Sequence, residues 1–183
     1  MKRRDFLKGT SLAALSLKTP SVRAAERGSE QGASGKVLNQ AQWSTIEAVQ
    51  DHLLPSEPDA PGARDLNATA YLDRALADPG FDPDVKGFLL QGIGWLEEIA
   101  QAQEGLPFHQ VEPGKREDLL RQIADSGPGE RWLSNLITYN MEAMLADPLY
   151  GGNPDGIGWK WLGHDPGRPR PTSDKIYGRL GKA

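Results

Sequence analysis

The chain of 183 residues contains no cysteine. That excludes a disulfide scaffold, a thiol nucleophile, a c-type haem attachment site, a Cys-ligated zinc and an iron–sulfur cluster. Long apolar runs are missing as well. None approaches the ~20 residues that a membrane-spanning helix needs. Histidine is scarce, with only His52, His109 and His164, and no two stand three or four positions apart, so the helical zinc patterns are absent. Gly92-Ile93-Gly94 and Gly156-Ile157-Gly158 lack the third glycine and the preceding strand of a dinucleotide fingerprint. There is no P-loop and no Gly-x-Ser-x-Gly elbow. The carboxylate pairs Glu97-Glu98 and Glu117-Asp118 read as solvated charge on helix faces. With no nucleophile, metal set or cofactor cradle in view, no catalytic, cofactor-binding or metal-binding residue is expected in this chain.

Hydrophobic residues make up 38% of the chain, enough for one modest core. The formal charge of −4 is unevenly spread: the first 24 residues carry a net +5, which leaves −9 for the rest. An acidic body of that kind argues against a nucleic-acid partner, whose phosphates need a basic face.

The basic excess sits in a leader. Met1–Lys8 reads MKRRDFLK. Arg3, Arg4, Phe6, Leu7 and Lys8 resemble the core of the twin-arginine export consensus, with Lys2 where Ser or Thr is usual. A short, weakly apolar stretch from Gly9 to Leu17 follows, too short for an anchor and suited to a signal-peptide core. Val22 and Ala24 offer a small-residue cleavage site. Residues 1–25 are therefore expected to be a signal peptide, 26–38 a polar linker, and 39–183 the folded domain.

That domain reads as all-α, a small irregular bundle of about five helices. The spacing of apolar residues predicts helices over Gln40–Leu54 with Asn39 as N-cap, Asn67–Ala77, Asp84–Gln103, Gly114–Ala124 and Glu130–Ala146, and a short last helix over Thr172–Leu180. Ser126-Gly127-Pro128-Gly129 reads as a break before the fifth helix. Gly92 and Gly94 in the third helix suggest close approach of a neighbour. No segment alternates as a strand would.

The stretch from Asp147 to Pro171 stands apart. Six of its 25 residues are glycine and five are proline, yet it holds Tyr150, Trp159 and Trp161. Such a composition predicts a loop without helix, and its aromatics predict an ordered one. Tyr150, Gly151, Gly152, Asn153, Trp159, Trp161 and His164 are the candidate partner-binding residues, the aromatics as anchors and the glycines as turn formers. Arg168 and Arg170 are candidates for pairing with a partner's acids. A second reading makes the protein a free-standing sugar-binding module, with tryptophans stacking and Asn153 and Asp155 hydrogen bonding. A third makes His164 and nearby carboxylates a metal site.

The runs Asp147-Pro148-Leu149-Tyr150-Gly151-Gly152-Asn153, Gly158-Trp159 and Gly163-His164-Asp165-Pro166 resemble the C-terminal signature of the gluconate 2-dehydrogenase subunit 3 family. Leu53-Leu54-Pro55 and Pro61-Gly62-Ala63 fit the same pattern. The resemblance implies a complex. In it a glucose-methanol-choline-type flavoprotein oxidises a sugar or sugar acid with FAD, and a multihaem cytochrome c can pass electrons onward. The small subunit holds no cofactor, supplies the twin-arginine signal and aids maturation and export of the flavoprotein into the periplasm, where the complex can associate with the membrane. The resemblance supplies no catalytic residue to assign.

Overall fold

In the computed structural model, residues 35–173 and 175 are described. The leader assigned to Arg3, Arg4, Phe6, Leu7 and Lys8, and about two thirds of the linker and of the expected helix over 172–180, lie outside them. Within this range the chain forms six α-helices: α1 (Gln40–Leu53), α2 (Ala68–Leu76), α3 (Pro83–Glu104), α4 (Pro113–Ala124), α5 (Gly127–Leu145) and α6 (Ile157–Leu162). Among the described residues the only β pairing is one isolated bridge between Glu57 and Ala60. The all-α expectation holds, and α6 is a helix that the sequence reading did not place.

Local chemistry explains most boundaries. Asn39 and Gln42 form a reciprocal capping box, each side chain accepting the other's backbone N–H at 3.0 Å, and this starts α1. Asp82 accepts from Asp84 N, and Pro83 presets the first turn of α3. Gly105, at φ +67°, ends that helix in the left-handed cap. The start of α5 differs from expectation. Helix begins at Gly127, not Glu130, because the Ser126 hydroxyl accepts from Gly129 N at 3.1 Å and Pro128 sits in the first turn, where its missing N–H costs nothing. The connector after α3 also tightens into a 3-10 turn at Phe108–Gln110.

α5 contacts each of the other five helices. Its Trp132 is fully buried and donates from Nε1 to the Leu89 carbonyl at 2.9 Å. Gly92 makes this crossing possible: a Cβ there would stand 2.2 Å from the indole. Gly94, by contrast, faces open space, so of this pair only Gly92 serves close approach. The core joins Ile46, Val49, Leu72, Leu76, Leu96, Leu119 and Leu136 around Trp132 and Phe108. Two polar groups tie helices within it. Thr69 Oγ1 donates to Gln50 Oε1 at 2.8 Å, and Asn140 Nδ2 donates to the Gln50 carbonyl at 3.4 Å, so α1, α2 and α5 share one buried residue.

The reading of Glu97 as solvated charge is corrected here. Its carboxylate accepts from Thr45 Oγ1 at 2.5 Å and from Phe108 N at 3.2 and 3.3 Å, linking α1, α3 and the 3-10 turn. Glu117 also has partners: it meets His52 of α1 and Arg121 one turn on. The His52 hydrogen bond first, and Arg121 as well, hold its carboxyl below the ordinary range against an opposing desolvation.

The domain's first residues are held by one carboxylate. Asp73, buried on α2, accepts from Lys36 N at 2.6 Å, Val37 N at 2.9 Å and Leu38 N at 2.8 Å. Leu38 is thereby drawn into the core.

Candidate functional site

The chain after α5 was expected to be helix-free from 147 to 171. It holds two 3-10 turns, Pro148–Tyr150 and Pro154–Gly156, and then α6. The helix survives because the glycines and prolines fall at its ends. Asn153, Asp155 and Gly156 all take positive φ and reverse the chain, and Gly163 at φ +64° closes it. Only Gly158 lies inside.

Asn153 organises this segment. It is fully buried. Its backbone N–H donates to the Leu66 carbonyl at 2.9 Å, its Nδ2 donates to the Ala146 carbonyl at 3.0 Å, and its Oδ1 accepts from Gly158 N at 2.7 Å. One side chain thus joins the end of α5 to the first turn of α6. Gly158 must be glycine, since a Cβ there would meet the Met144 carbonyl at 2.5 Å. Gly152 packs against Ala143 of α5. Gly151, at φ +98°, accepts from Asn67 Nδ2 at 2.8 Å. Tyr150 is half-buried.

The two tryptophans part company. Trp159 is 7% exposed, and its Nε1 donates to the Leu145 carbonyl at 2.8 Å. Trp161 is 48% exposed. Two positions along a helix turn the side chain by about 200°, so one faces the body and the other faces solvent. The His164 ring tilts against Trp159 at 6.3 Å, and the His164 backbone N–H donates to the Trp159 carbonyl at 2.8 Å. Arg170 lies over the Trp159 ring, 5.1 Å from its centroid, and grips Asp147 with Nε at 2.9 Å and Nη2 at 3.1 Å. Arg170 thus pairs with an acid of its own chain. The loop encloses an open cleft of about 330 Å³ lined by Trp159, Lys160, His164, Asp165 and Arg168 among others.

Seven residues were assigned to partner binding. The fold turns Gly152, Asn153 and Trp159 inward, leaves Tyr150 and Gly151 half-buried, and exposes Trp161 and His164. Asn153 presents no surface to a sugar hydroxyl, whereas Asp155 is exposed, so the sugar-module reading loses one of its two hydrogen-bonding residues. Among the described residues no group of three His, Cys, Asp or Glu side chains is placed to hold a metal, and no helix is long and apolar enough to cross a membrane. Tyr71, which donates to Glu142 at 3.1 Å, has its phenol pushed up to about 12 by burial first and then by that carboxylate, so it stays neutral at ordinary pH. Residues missed from sequence are Leu66 and Asn67, which anchor the loop from 84 and more positions away in the chain. Their only signal was Asn67 itself, a residue type that tolerates positive φ, here 55°, just before α2.

Replacing Asn153 with Ala is expected to cost about 2 kcal/mol for the two side-chain hydrogen bonds and about 1 kcal/mol more for an alanine at positive φ. Urea unfolding measures it, and Asn153→Gly should recover only the backbone part. The Arg170 hydrogen bond first, and Leu149 N–H as well, hold the Asp147 carboxyl below its ordinary value against desolvation. A depressed carboxyl pKa stabilises above the unfolded value of about 3.9, and the contribution fades as pH falls through the lower folded value. The Asp147–Arg170 clasp should therefore release only in acid. The Arg170 Nε proton resonance reports it, and Asp147→Asn should remove the transition.

The described residues form a small helical body to which the segment after α5 is clamped by Asn153, Trp159 and Arg170. The family model described as gluconate 2-dehydrogenase subunit 3 matches residues 40–167, and the chain belongs to that family. Comparison with curated proteins and with solved structures yields no match.

Proposed function

We propose that this protein is the non-catalytic small subunit of a periplasmic or membrane-associated FAD-dependent dehydrogenase of the glucose-methanol-choline type acting on a sugar or sugar acid. It aids maturation of the flavoprotein subunit and, through its twin-arginine leader, carries that subunit across the membrane. FAD belongs to the partner, and haem c to a cytochrome subunit where one is present. The family match over residues 40–167 carries this reading. The leader MKRRDFLK and the exposed Trp161 support it.

Co-expression of the tagged full chain with the flavoprotein subunit of its own complex tests the proposal. A yellow co-purifying subunit that releases FAD on denaturation is expected. Recovery of the tagged chain alone, beside abundant soluble flavoprotein, would refute it.

A further inference from the structure

Among the described residues seven large hydrophobic side chains are exposed. Six of them, Ile137, Met141, Leu145, Ile157, Trp161 and Leu162, belong to α5 and α6, and the seventh is Leu106. Ile137, Met141 and Leu145 recur every fourth residue, a stripe about 12 Å long on one face of α5. α6 packs at the end of that stripe, where Trp159 bonds Leu145 and Gly158 abuts Met144. Leu145 is 53% exposed and Trp161 48%. Single exposed apolar residues are ordinary on a surface, but a concentration on two adjoining helices marks a contact.

The charge beside this face narrows the occupant. Residues 35–156 hold eight Lys and Arg against twenty Asp and Glu, whereas residues 157–173 hold three cations and one acid. Arg170 is committed to Asp147. Lys160 and Arg168 line the cleft next to α6 together with Asp155 and Asp165, and among the described residues no ion pair holds either cation, whereas Asp165 already accepts from Gly167 N. A two-fold pairing of two copies would set these cations near each other. An anionic lipid surface would attract the cations and repel the acidic body. A protein with carboxylates around an apolar ridge meets both features.

Resting on the subunit reading above, we propose that the solvent face of α5 and α6 is where the flavoprotein subunit docks. The flavoprotein places an apolar ridge along Ile137, Met141, Leu145 and Trp161, and acidic side chains at Lys160 and Arg168. The contact thus shifts from the loop's buried residues to the helix faces that the loop braces.

The test uses the full chain co-expressed with the flavoprotein subunit. Ile137→Asp/Met141→Asp should lower co-purified flavoprotein at least about tenfold, as loss of interface anchors does, while Leu106→Asp leaves it unchanged. Circular dichroism should show both variants folded, since the substituted positions face solvent. Lys160→Glu/Arg168→Glu, at exposed positions too, should weaken the complex and flatten its salt dependence. Undiminished flavoprotein on both double variants would overturn the proposal. So would concentration-dependent dimerisation of the chain alone, or its binding to phosphatidylethanolamine–phosphatidylglycerol vesicles, if Ile137→Asp/Met141→Asp abolished it. Failure of the native chain itself to retain flavoprotein would instead refute the subunit reading.

Discussion

Asp73→Ala is expected to lower the stability of the domain by about 3 kcal/mol, and to do so by releasing its first residues. The buried carboxylate receives the three successive N–H groups of Lys36, Val37 and Leu38. Hydrogen bonds to a charged acceptor are worth about 1.5–3 kcal/mol each, but their sum overstates the loss. Once the acceptor is gone, the segment can leave the surface and hydrate its amides. The cost is then bounded by what docking the segment contributes, chiefly the burial of Leu38, worth about 1.5–3 kcal/mol, together with the hydrogen bonds. Urea unfolding gives the total, and amide exchange localises it: the amides of 36–38 should lose protection while those of α5 keep theirs. Asp73→Asn should fall between. It keeps an acceptor for Val37 and Leu38 but turns an amide donor toward Lys36 N. Gly35 is part of the same device, since a Cβ there would lie 2.2 Å from the carboxylate. The folded body therefore grips the chain at 35–38, just ahead of α1.

Trp159→Ala is expected to cost about 3 kcal/mol or more, the usual penalty for truncating a buried tryptophan, with the loss centred on 152–164. Trp159 fills the space between α6 and the end of α5. It holds the Leu145 carbonyl and supports the Arg170 guanidinium and the His164 ring. Trp161→Ala, two residues on, should change stability by no more than about 0.5 kcal/mol, as surface substitutions do. The pair thus separates fold from recognition. The first variant should lose amide protection at Gly158 and His164 and weaken docking indirectly. The second should remain folded and weaken docking directly. Equal stability losses would mean that α6 does not hold the orientation described here.

Much of the bundle was legible because its stops and starts are local chemistry. Asn39 with Gln42, Asp82-Pro83, Gly105 and Pro55 act within one or two turns, so their meaning does not depend on distant neighbours. The misreadings arose where meaning is tertiary. Gly92 and Gly94 look alike in sequence, and only the position of Trp132 on α5 decides that one is a crossing point and the other idle. Glu97 and Glu98 form one acidic pair, yet helix phase turns Glu97 toward Thr45 and Phe108 and leaves its neighbour in water. In the 147–171 stretch the density of glycine and proline concealed a six-residue helix whose breakers, Gly158 apart, lie at its ends. Once that helix is recognised, the two-residue spacing of Trp159 and Trp161 predicts their opposite fates. The role of Asn153 stays hidden from any local reading, because its partners Leu66 and Ala146 come from separate parts of the chain.

On the function proposed above, this chain serves a flavoprotein partner that it helps to export. The most direct test of that function is the amount of flavin-loaded dehydrogenase in the periplasm when the flavoprotein subunit is expressed alone, with the native chain, or with the Arg3→Lys/Arg4→Lys chain. Periplasmic flavoprotein is expected only with the native chain, and cytoplasmic retention in the other two cases. Equal periplasmic flavoprotein in all three would contradict that function.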